Sequence, residues 1–178
     1  SSKDETIATV SASGQITGKK IGDTIITATS HEGNKKAYCL VEVIQLATSV
    51  TLDFSSITLD AGVSKAITAT VKPANASDKS LKWTSSDPKV ATVNSKGVVT
   101  GVSAGSAVIT ATTADGGSVS ASCRINVTQK ITKVTFAQKT FTAKVGEKTK
   151  LQYTTLPANA TNKTLYWSSS DKKIAKVS

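Results

Sequence analysis

The chain has few of the side chains on which catalysis and metal binding usually depend. It contains one histidine, His31, two cysteines and no methionine. Zinc sites and Ser–His or Cys–His catalysis need several such groups close together, so this composition argues against them. The acidic residues are scattered, whereas a dedicated calcium loop needs them clustered. We therefore predict no catalytic residue, no metal ligand, no cofactor-binding residue and no enzymatic activity, and no residue stands out as partner-binding.

Aromatic residues and arginine are also scarce. Phe, Trp and Tyr make up 4% of the chain, and Arg124 is the single arginine. Specific nucleic-acid readers depend on arginine forks and exposed aromatic rings, so we predict no specific nucleic-acid recognition. Glycan binding would need an exposed aromatic cluster, and none is evident in the sequence.

Long apolar runs are absent as well. No apolar stretch approaches the roughly 18 residues that a membrane-spanning helix needs, so we predict no membrane insertion. The basic, apolar and small-residue pattern of a secretion signal is also missing from this stretch. Because the chain opens inside a repeat, described below, we expect any such signal to lie upstream.

Positive charge, by contrast, is abundant and unevenly placed. The net charge is +10, but residues 1–45 carry net 0, residues 46–129 carry net +2 and residues 130–178 carry net +8. A basic segment attracts polyanions by charge alone, and the candidates are anionic cell-wall polymers, acidic glycans and nucleic acid. The ordinary alternative is a charged surface that only keeps the chain soluble.

The most informative feature is a long internal repeat. Residues 82–87 recur as residues 166–171, and residues 72–76 recur as residues 156–160, both with an offset of 84 positions. A repeat of this length is a domain rather than one turn of a solenoid. Any function is therefore expected to be modular and multivalent.

The repeat divides the chain into one complete copy and two half copies. We predict that residues 46–128 form a complete domain, residues 1–45 the second half of a repeat and residues 129–178 the first half. The earlier half copy matches at an offset of 83, and its glycines make this visible: Gly14, Gly18 and Gly22 match Gly97, Gly101 and Gly105. The one-residue difference falls in a loop at residues 114–117.

Short strands separated by turns are predicted along the complete copy. Residues 50–54 alternate apolar and polar side chains, and residues 65–71 are predicted to form one long strand that Pro73 stops. About seven such strands per repeat, with no helical periodicity, predict an all-β fold, an immunoglobulin-like β-sandwich in tandem modules. Trp83 and Trp167 each lie in phase with a leucine two positions earlier, so both are predicted to be core residues.

The order of these motifs resembles the bacterial immunoglobulin-like group 2 (Big2) domain family. Residues 72–76 are followed by the Trp motif at 81–87, by Val-Ala-Thr-Val at 90–93 and by the glycine-spaced segment 97–111. Both half copies carry the corresponding motifs, so the resemblance covers almost the whole chain. It implies an Ig-like fold without a shared catalytic residue. Members of the family occur in bacterial surface adhesins, beside secreted enzymes and in bacteriophage virion proteins.

Two aspartates follow a Ser-Ser pair at the end of each Trp strand. We predict that Asp87 and Asp171 accept hydrogen bonds from backbone amides in a turn. The copies depart slightly from one another here, because Lys172 replaces Pro88 and residues 3–6 form a variant turn.

The cysteines and two asparagines complete the candidate chemical groups. Cys39 and Cys123 occupy equivalent positions in different copies, so no disulfide is expected inside a domain. Cys123 lies in phase with the apolar residues after it, and we predict a buried thiol that acts as a small hydrophobe. Residues 75–77 and 159–161 match a glycosylation acceptor pattern, which we attribute to chance.

Half an Ig-like sandwich cannot close its core, so residues 1–45 and residues 129–178 are expected to expose their inner faces. Three interpretations follow. The sequence is a window cut from a longer array, or the C-terminal half of one chain completes the N-terminal half of the next in a filament or ring, or two chains exchange halves as a reciprocal dimer.

These observations and the resemblance favour a non-enzymatic extracellular module that acts as a spacer and adhesive element of a bacterial surface protein. The alternatives are a structural or decorating module of a bacteriophage virion, a self-assembling subunit completed between chains, and an accessory module of a secreted carbohydrate-active enzyme. The expected partners are other copies of the same module and, beyond them, an anionic cell-wall polymer, a glycan or a host surface. The expected location is extracellular, on the cell surface or secreted, or else on a virion.

Overall fold

The computed structural model describes residues 1–177, and every helix or strand in that range is a β-strand. This confirms the all-β prediction. Valine, isoleucine and threonine dominate the strands because their branched side chains are stiff and fit a pleated surface. Among the described residues there is no helix long and apolar enough to cross a membrane.

Residues 1–45 form two antiparallel pairs of strands. Strand β1 pairs with β2, and β3 pairs with β4 over eight residue positions. The four strands are β1 (Ala8–Val10), β2 (Ile16–Gly18), β3 (Gly22–Thr29) and β4 (Lys36–Val43).

The complete copy supplies the next nine strands of the described chain. They are β5 (Ser49–Leu52), β6 (Ser56–Asp60), β7 (Ser64–Ala66), β8 (Ala69–Lys72), β9 (Leu81–Ser85), β10 (Ala91–Val93), β11 (Val98–Gly101), β12 (Gly105–Thr113) and β13 (Ser120–Thr128). They form three sheets, with the strand orders β6-β13-β12-β9, β10-β11-β7 and β5-β8. The last copy contributes one antiparallel pair, β14 (Lys133–Phe136) with β15 (Tyr153–Leu156).

The prediction of one long strand at residues 65–71 is wrong. The segment divides into β7, which pairs with β11, and β8, which pairs with β5. Between them the N–H of Ile67 donates to the carbonyl of Gly97 at 2.9 Å, and the N–H of Thr68 donates to the Asp53 carboxylate at 3.0 Å. These two hydrogen bonds satisfy the amides of Ile67 and Thr68, which lie between the two strands and belong to neither sheet. As predicted, β8 ends immediately before Pro73.

One pair of strands in the complete copy is parallel. Residues 56–60 of β6 pair with residues 124–128 of β13, in the register Ile57 to Ile125 and Leu59 to Val127. The first of these strands lies near the start of the repeat and the second lies at its end. The two ends of the module are therefore joined by a hydrogen-bonded ladder.

The core of the complete copy follows the alternation of β12 and β13. Every second residue of these strands is buried: Ala107, Ile109, Ala111 and Thr113 in β12, and Cys123, Ile125 and Val127 in β13. Ile109, Ile125, Val99 and Cys123 are the largest side chains with almost no exposed surface. Alternation of this kind is typical of strands with one face packed and the other solvated.

The recurring glycines allow β12 and β3 to pack closely against the turns that precede β10 and β1. Gly105 has φ +155°, and a Cβ atom placed on it would lie 2.8 Å from the Val90 side chain. Its counterpart Gly22 has φ +142°, and a Cβ there would lie 3.1 Å from Ile7, the counterpart of Val90. Because side chains rarely tolerate this conformation and no space is available, the repeat requires glycine at this position.

The half copies expose faces that the complete copy buries, as expected from their sequence. Ile16 is 42% exposed although its counterpart Val99 is 0% exposed, and Phe141 is 49% exposed although its counterpart Ile57 is 7% exposed. Val99 lies in β11, which pairs with β7, and Ile57 lies in β6, which pairs with β13; neither β7 nor β13 has an equivalent within the corresponding half copy. Phe141 also lies outside any strand, whereas Ile57 lies in β6, so the exposure of Phe141 accompanies both the absent partner strand and a different local structure.

By its internal contacts the described chain divides into two compact units. The first unit contains residues 1–53, 68–83 and 110–122, and the remaining described residues form the second. The first unit holds the β1-β2, β3-β4 and β5-β8 sheets, and the second holds the β10-β11-β7 and β14-β15 sheets together with β6.

Candidate functional site

The aspartates after the two Trp motifs act as turn caps, although only Trp83, in β9, lies in a strand. The carboxylate of Asp87 accepts a hydrogen bond from the N–H of Lys89 at 3.0 Å, and that of Asp171 accepts one from Lys173 at 2.7 Å. Both predictions are confirmed. A carboxylate that accepts the amide two residues later forms an Asx turn, so these groups stabilise backbone geometry.

The first half copy has the same turn despite its variant sequence. The Asp4 carboxylate accepts hydrogen bonds from the hydroxyl of Thr6 at 2.7 Å and from its N–H at 2.9 Å. These two bonds hold the pKa of Asp4 below the ordinary value for aspartate. The turn is therefore a structural constant of all three copies.

The connector between the first two copies is bound to the copy that follows it. The N–H of Gln45 donates to the hydroxyl of Ser77 at 3.0 Å, and the N–H of Ser77 donates to the carbonyl of Gln45 at 2.9 Å. Two residues later, the N–H of Ala47 donates to the Asp115 carboxylate at 2.6 Å. The connector is thus held by two loops of the complete copy.

Asp115 is the most heavily engaged carboxylate in this region. Besides the amide of Ala47, it accepts the N–H of Gly117 at 3.0 Å within its own loop. The amide of Ala47, the hydroxyl of Thr113 and the amide of Gly117 hold the pKa of Asp115 below its ordinary value. Ala47 is 4% exposed, so without the Asp115 carboxylate its amide would have neither water nor another acceptor to bind.

The second connector repeats the first arrangement. The N–H of Gln129 donates to the hydroxyl of Thr161, and the N–H of Thr161 donates to the carbonyl of Gln129, each at 2.8 Å. Asp60 accepts the hydroxyl of Thr128 at 2.6 Å and forms an ion pair with Lys130. These two partners, Lys130 first, lower the pKa of Asp60. The ion pair is largely exposed, so its contribution to stability is small.

Sequence reasoning missed these connector contacts. In the sequence, Ser77 and Thr161 stand out only as the last residues of an apparent glycosylation pattern, whereas in the structure their hydroxyls accept the connector amides. The available signal was the offset of 84, which relates Gln45 to Gln129 and Ser77 to Thr161. The recurrence of a glutamine together with a hydroxyl residue at this offset would have indicated that the two residues are in contact.

The prediction that Trp167 is a core residue is wrong for this chain. Trp167 is 40% exposed, while its counterpart Trp83 is half-buried. Its ring lies 5.8 Å from that of Phe136 and 5.6 Å from that of Tyr153, measured between centroids. An exposed aromatic cluster therefore exists, which the sequence did not indicate. The counterparts of these three residues in the complete copy, Leu52, Ala69 and Trp83, are half-buried.

The two cysteines differ in burial although their positions are equivalent. Cys123 is fully buried, which confirms the prediction for the complete copy, and Cys39 is exposed on β4. His31 lies in the exposed loop that joins β3 and β4. Across residues 1–177, no three His, Cys, Asp or Glu side chains come together in a way that would hold a metal ion.

The described chain is thus an array of repeated all-β modules whose carboxylates cap turns and hold connectors. The chain belongs to the bacterial Ig-like domain (group 2) family, whose model matches residues 1–41, 46–124 and 130–178. The resemblance noted from the sequence is therefore confirmed, and with it the Ig-like fold.

Relatives of the chain include phage structural proteins and a glycosidase. An Ig-like virion protein of Serratia phage KSP90 is 36% identical over 132 residues, which cover 72% of this chain and 51% of that protein. The minor capsid protein of Enterobacteria phage T3 is 45% identical over 87 residues, covering 49% and 19%. A 3-O-alpha-D-galactosyl-alpha-L-arabinofuranosidase of Bifidobacterium longum subsp. longum is 38% identical over 93 residues, covering 49% and 8%. The chain thus spans about half, or much less, of the length of these relatives.

Proposed function

We propose that this chain is a non-catalytic spacer and adhesive element, part of an array of Ig-like repeats displayed on the surface of a bacterial cell. The observation that carries the proposal is the tandem repetition of a family module whose carboxylates are committed to its own backbone, at the turns and the connectors. Such a module supplies distance and repetition. Weak contacts repeated along an array gain strength through effective concentration.

The adhesive contact is made to an anionic cell-wall polymer through the basic last copy. Residues 130–178 carry net +8, and the lysines of its final turn, Lys172, Lys173 and Lys176, are exposed. Clustered positive charge of this kind binds a polyanion in a salt-dependent way. The segment would then add affinity while the other copies add length.

Co-sedimentation with purified cell walls tests the adhesive contact. We expect the chain to pellet with walls that retain their anionic polymer and to be released by salt. The triple variant with Lys172, Lys173 and Lys176 changed to Gln should bind more weakly than a matched variant with Lys19, Lys20 and Lys35 changed to Gln. Equal binding to walls stripped of the polymer, or equal effects of both variants, would contradict a charge-based contact.

A second candidate is a structural or decorating module of a bacteriophage particle. It is favoured by the Ig-like virion protein and the minor capsid protein among the relatives. Immunogold labelling with an antibody against this chain separates the two candidates. Label on the envelope of intact producing cells supports the first, and label confined to particles in a lysate supports the second.

A third candidate is an accessory module of a carbohydrate-active enzyme, favoured by the arabinofuranosidase relative. The same antibody would then precipitate a longer polypeptide with glycosidase activity. The paired carboxylates of such an enzyme would have to lie in another domain of that polypeptide. Precipitation without any glycosidase activity would count against this candidate.

A fourth candidate is a subunit that is completed between chains. It is favoured by the exposed faces of the half copies, whose counterparts are buried in the complete copy. Light scattering of the chain across a concentration series tests it. A dimer or polymer supports completion of one chain by another, and a monomer at all concentrations excludes it.

A further inference from the structure

The first connector leaves almost no unconstrained backbone between two copies. Strand β4 ends at Val43, which pairs with Gly22. Gln45 is already bound to Ser77 of the next copy through two hydrogen bonds. Only Ile44 lies between these two held residues.

The second connector leaves no unconstrained residue between the two copies that it joins. Thr128 pairs with Asp60 in the parallel ladder and also donates its hydroxyl to the Asp60 carboxylate. The next residue, Gln129, is bound to Thr161 through two hydrogen bonds. The last strand of one copy therefore passes directly into contacts with the following copy.

We propose that the junctions between successive repeats are stiff, because the hydroxyl of Ser77 or Thr161 clamps the backbone of Gln45 or Gln129 to the following copy. A linker acts as a hinge only through residues whose dihedral angles are free, and the structure leaves one such residue or none. The two bonds at each clamp run in opposite directions between the same two residues, so they restrain both position and orientation.

Asp115 reinforces the clamp at the first junction. The amide that it holds belongs to Ala47, which is almost fully buried. A hydrogen bond from an amide to a carboxylate is stronger than one to a neutral acceptor. Loss of the Asp115 carboxylate would therefore leave a buried donor without its partner.

The clamp does not depend on the proposed function. A glutamine at the equivalent position, Gln45 or Gln129, is bound at each junction. Its amide donates to a hydroxyl, which serine supplies at the first junction and threonine at the second. Chemistry preserved in two copies of different sequence indicates a requirement of the array itself. The proposal applies equally to repeats on a cell and to repeats on a virion.

Pulsed electron-spin distance measurements test the stiffness of the first junction. Spin labels are placed by Lys19→Cys and Lys82→Cys, both at exposed positions, in a chain that carries Cys39→Ser. We expect a narrow distance distribution in this chain. Insertion of three glycines after Ile44 provides the reference for a flexible connector and should give a clearly broader distribution.

A pair of matched double variants tests whether the clamp is the cause. Ser77→Ala with Asp115→Ala should broaden the distribution toward that of the glycine insertion. Ser95→Ala with Asp78→Ala should leave it narrow, because Ser95 lies in an exposed turn and Asp78 caps Ser80 within its own loop. The proposal fails if the parent chain is as broad as the insertion, or if the clamp variant remains as narrow as its control.

Amide exchange in the unmodified chain provides a test that needs no variant. The amides of Gln45, Ala47 and Gln129 should exchange at least about tenfold more slowly than that of Leu46, for which the structure shows no acceptor. The connector is not clamped if Gln45, Ala47 and Gln129 exchange as fast as Leu46.

Discussion

Replacement of Ile125 by alanine should remove a large part of the stability of the complete copy. Ile125 is 0% exposed and lies in the middle of β13, in register with Ile57. The change removes three buried carbon atoms, which at about 0.8 kcal/mol each gives about 2.4 kcal/mol. The cavity left behind adds to this, so we expect a loss of about 3–4 kcal/mol. The free energy of unfolding of a domain of this size is roughly 4–13 kcal/mol in total.

Urea unfolding followed by the fluorescence of Trp83 measures the loss, with Trp167→Phe as the common background. The matched control is Val41→Ala, at the position equivalent to Ile125 in the first half copy, where the side chain is only half-buried. We expect the control to cost less than about 1 kcal/mol. A loss below about 1 kcal/mol for Ile125→Ala would refute the assignment of β13 to the core.

Three further results are expected. The pKa of Asp115 is lowered in the folded chain, so the parent chain should have a higher urea midpoint than Asp115→Asn. This difference should be full above the ordinary aspartate pKa of 3.8 and vanish as pH falls through the lowered pKa. A difference that persists at the lowest pH would contradict the stabilising role of the Asp115 carboxylate. Cys39 should react with a thiol reagent in the native chain, whereas Cys123 should react only on unfolding, and rapid labelling of both would be the contrary outcome. Gly105→Ala should cost at least about 1 kcal/mol in urea unfolding, because it places a Cβ atom against Val90 in a left-handed conformation, and a neutral effect would refute this explanation of the glycine spacing.

Features specified by local sequence were predictable, and β9 is the clearest case. Its bounds, Leu81–Ser85, fall within the Trp motif at residues 81–87, and the strand ends just before the Asp87 turn. The Asp87 cap was predictable for the same reason, because donor and acceptor lie two residues apart. The parallel pairing of β6 with β13 was not, since its register joins residues 68 positions apart.

The candidate site was less accessible to sequence reasoning. The alternation of Trp167 with Leu165 predicted burial, but Trp167 is 40% exposed and its counterpart Trp83 is itself only half-buried. The connector clamp joins Gln45 to a serine 32 positions away, and neither residue is unusual by itself. Only the comparison of repeats with one another would have brought these residues together.

The parallel ladder between β6 and β13 has a mechanical consequence. A tension applied along the array pulls the start and the end of the complete copy apart, and it reaches residues 56–60 and residues 124–128 in opposite directions. Because these strands run the same way, the load acts along both of them and is shared by all the bonds of the ladder at once. In an antiparallel hairpin pulled from its open end, the hydrogen bonds would instead break one after another. The complete copy is thus arranged to resist stretching by shear along this ladder.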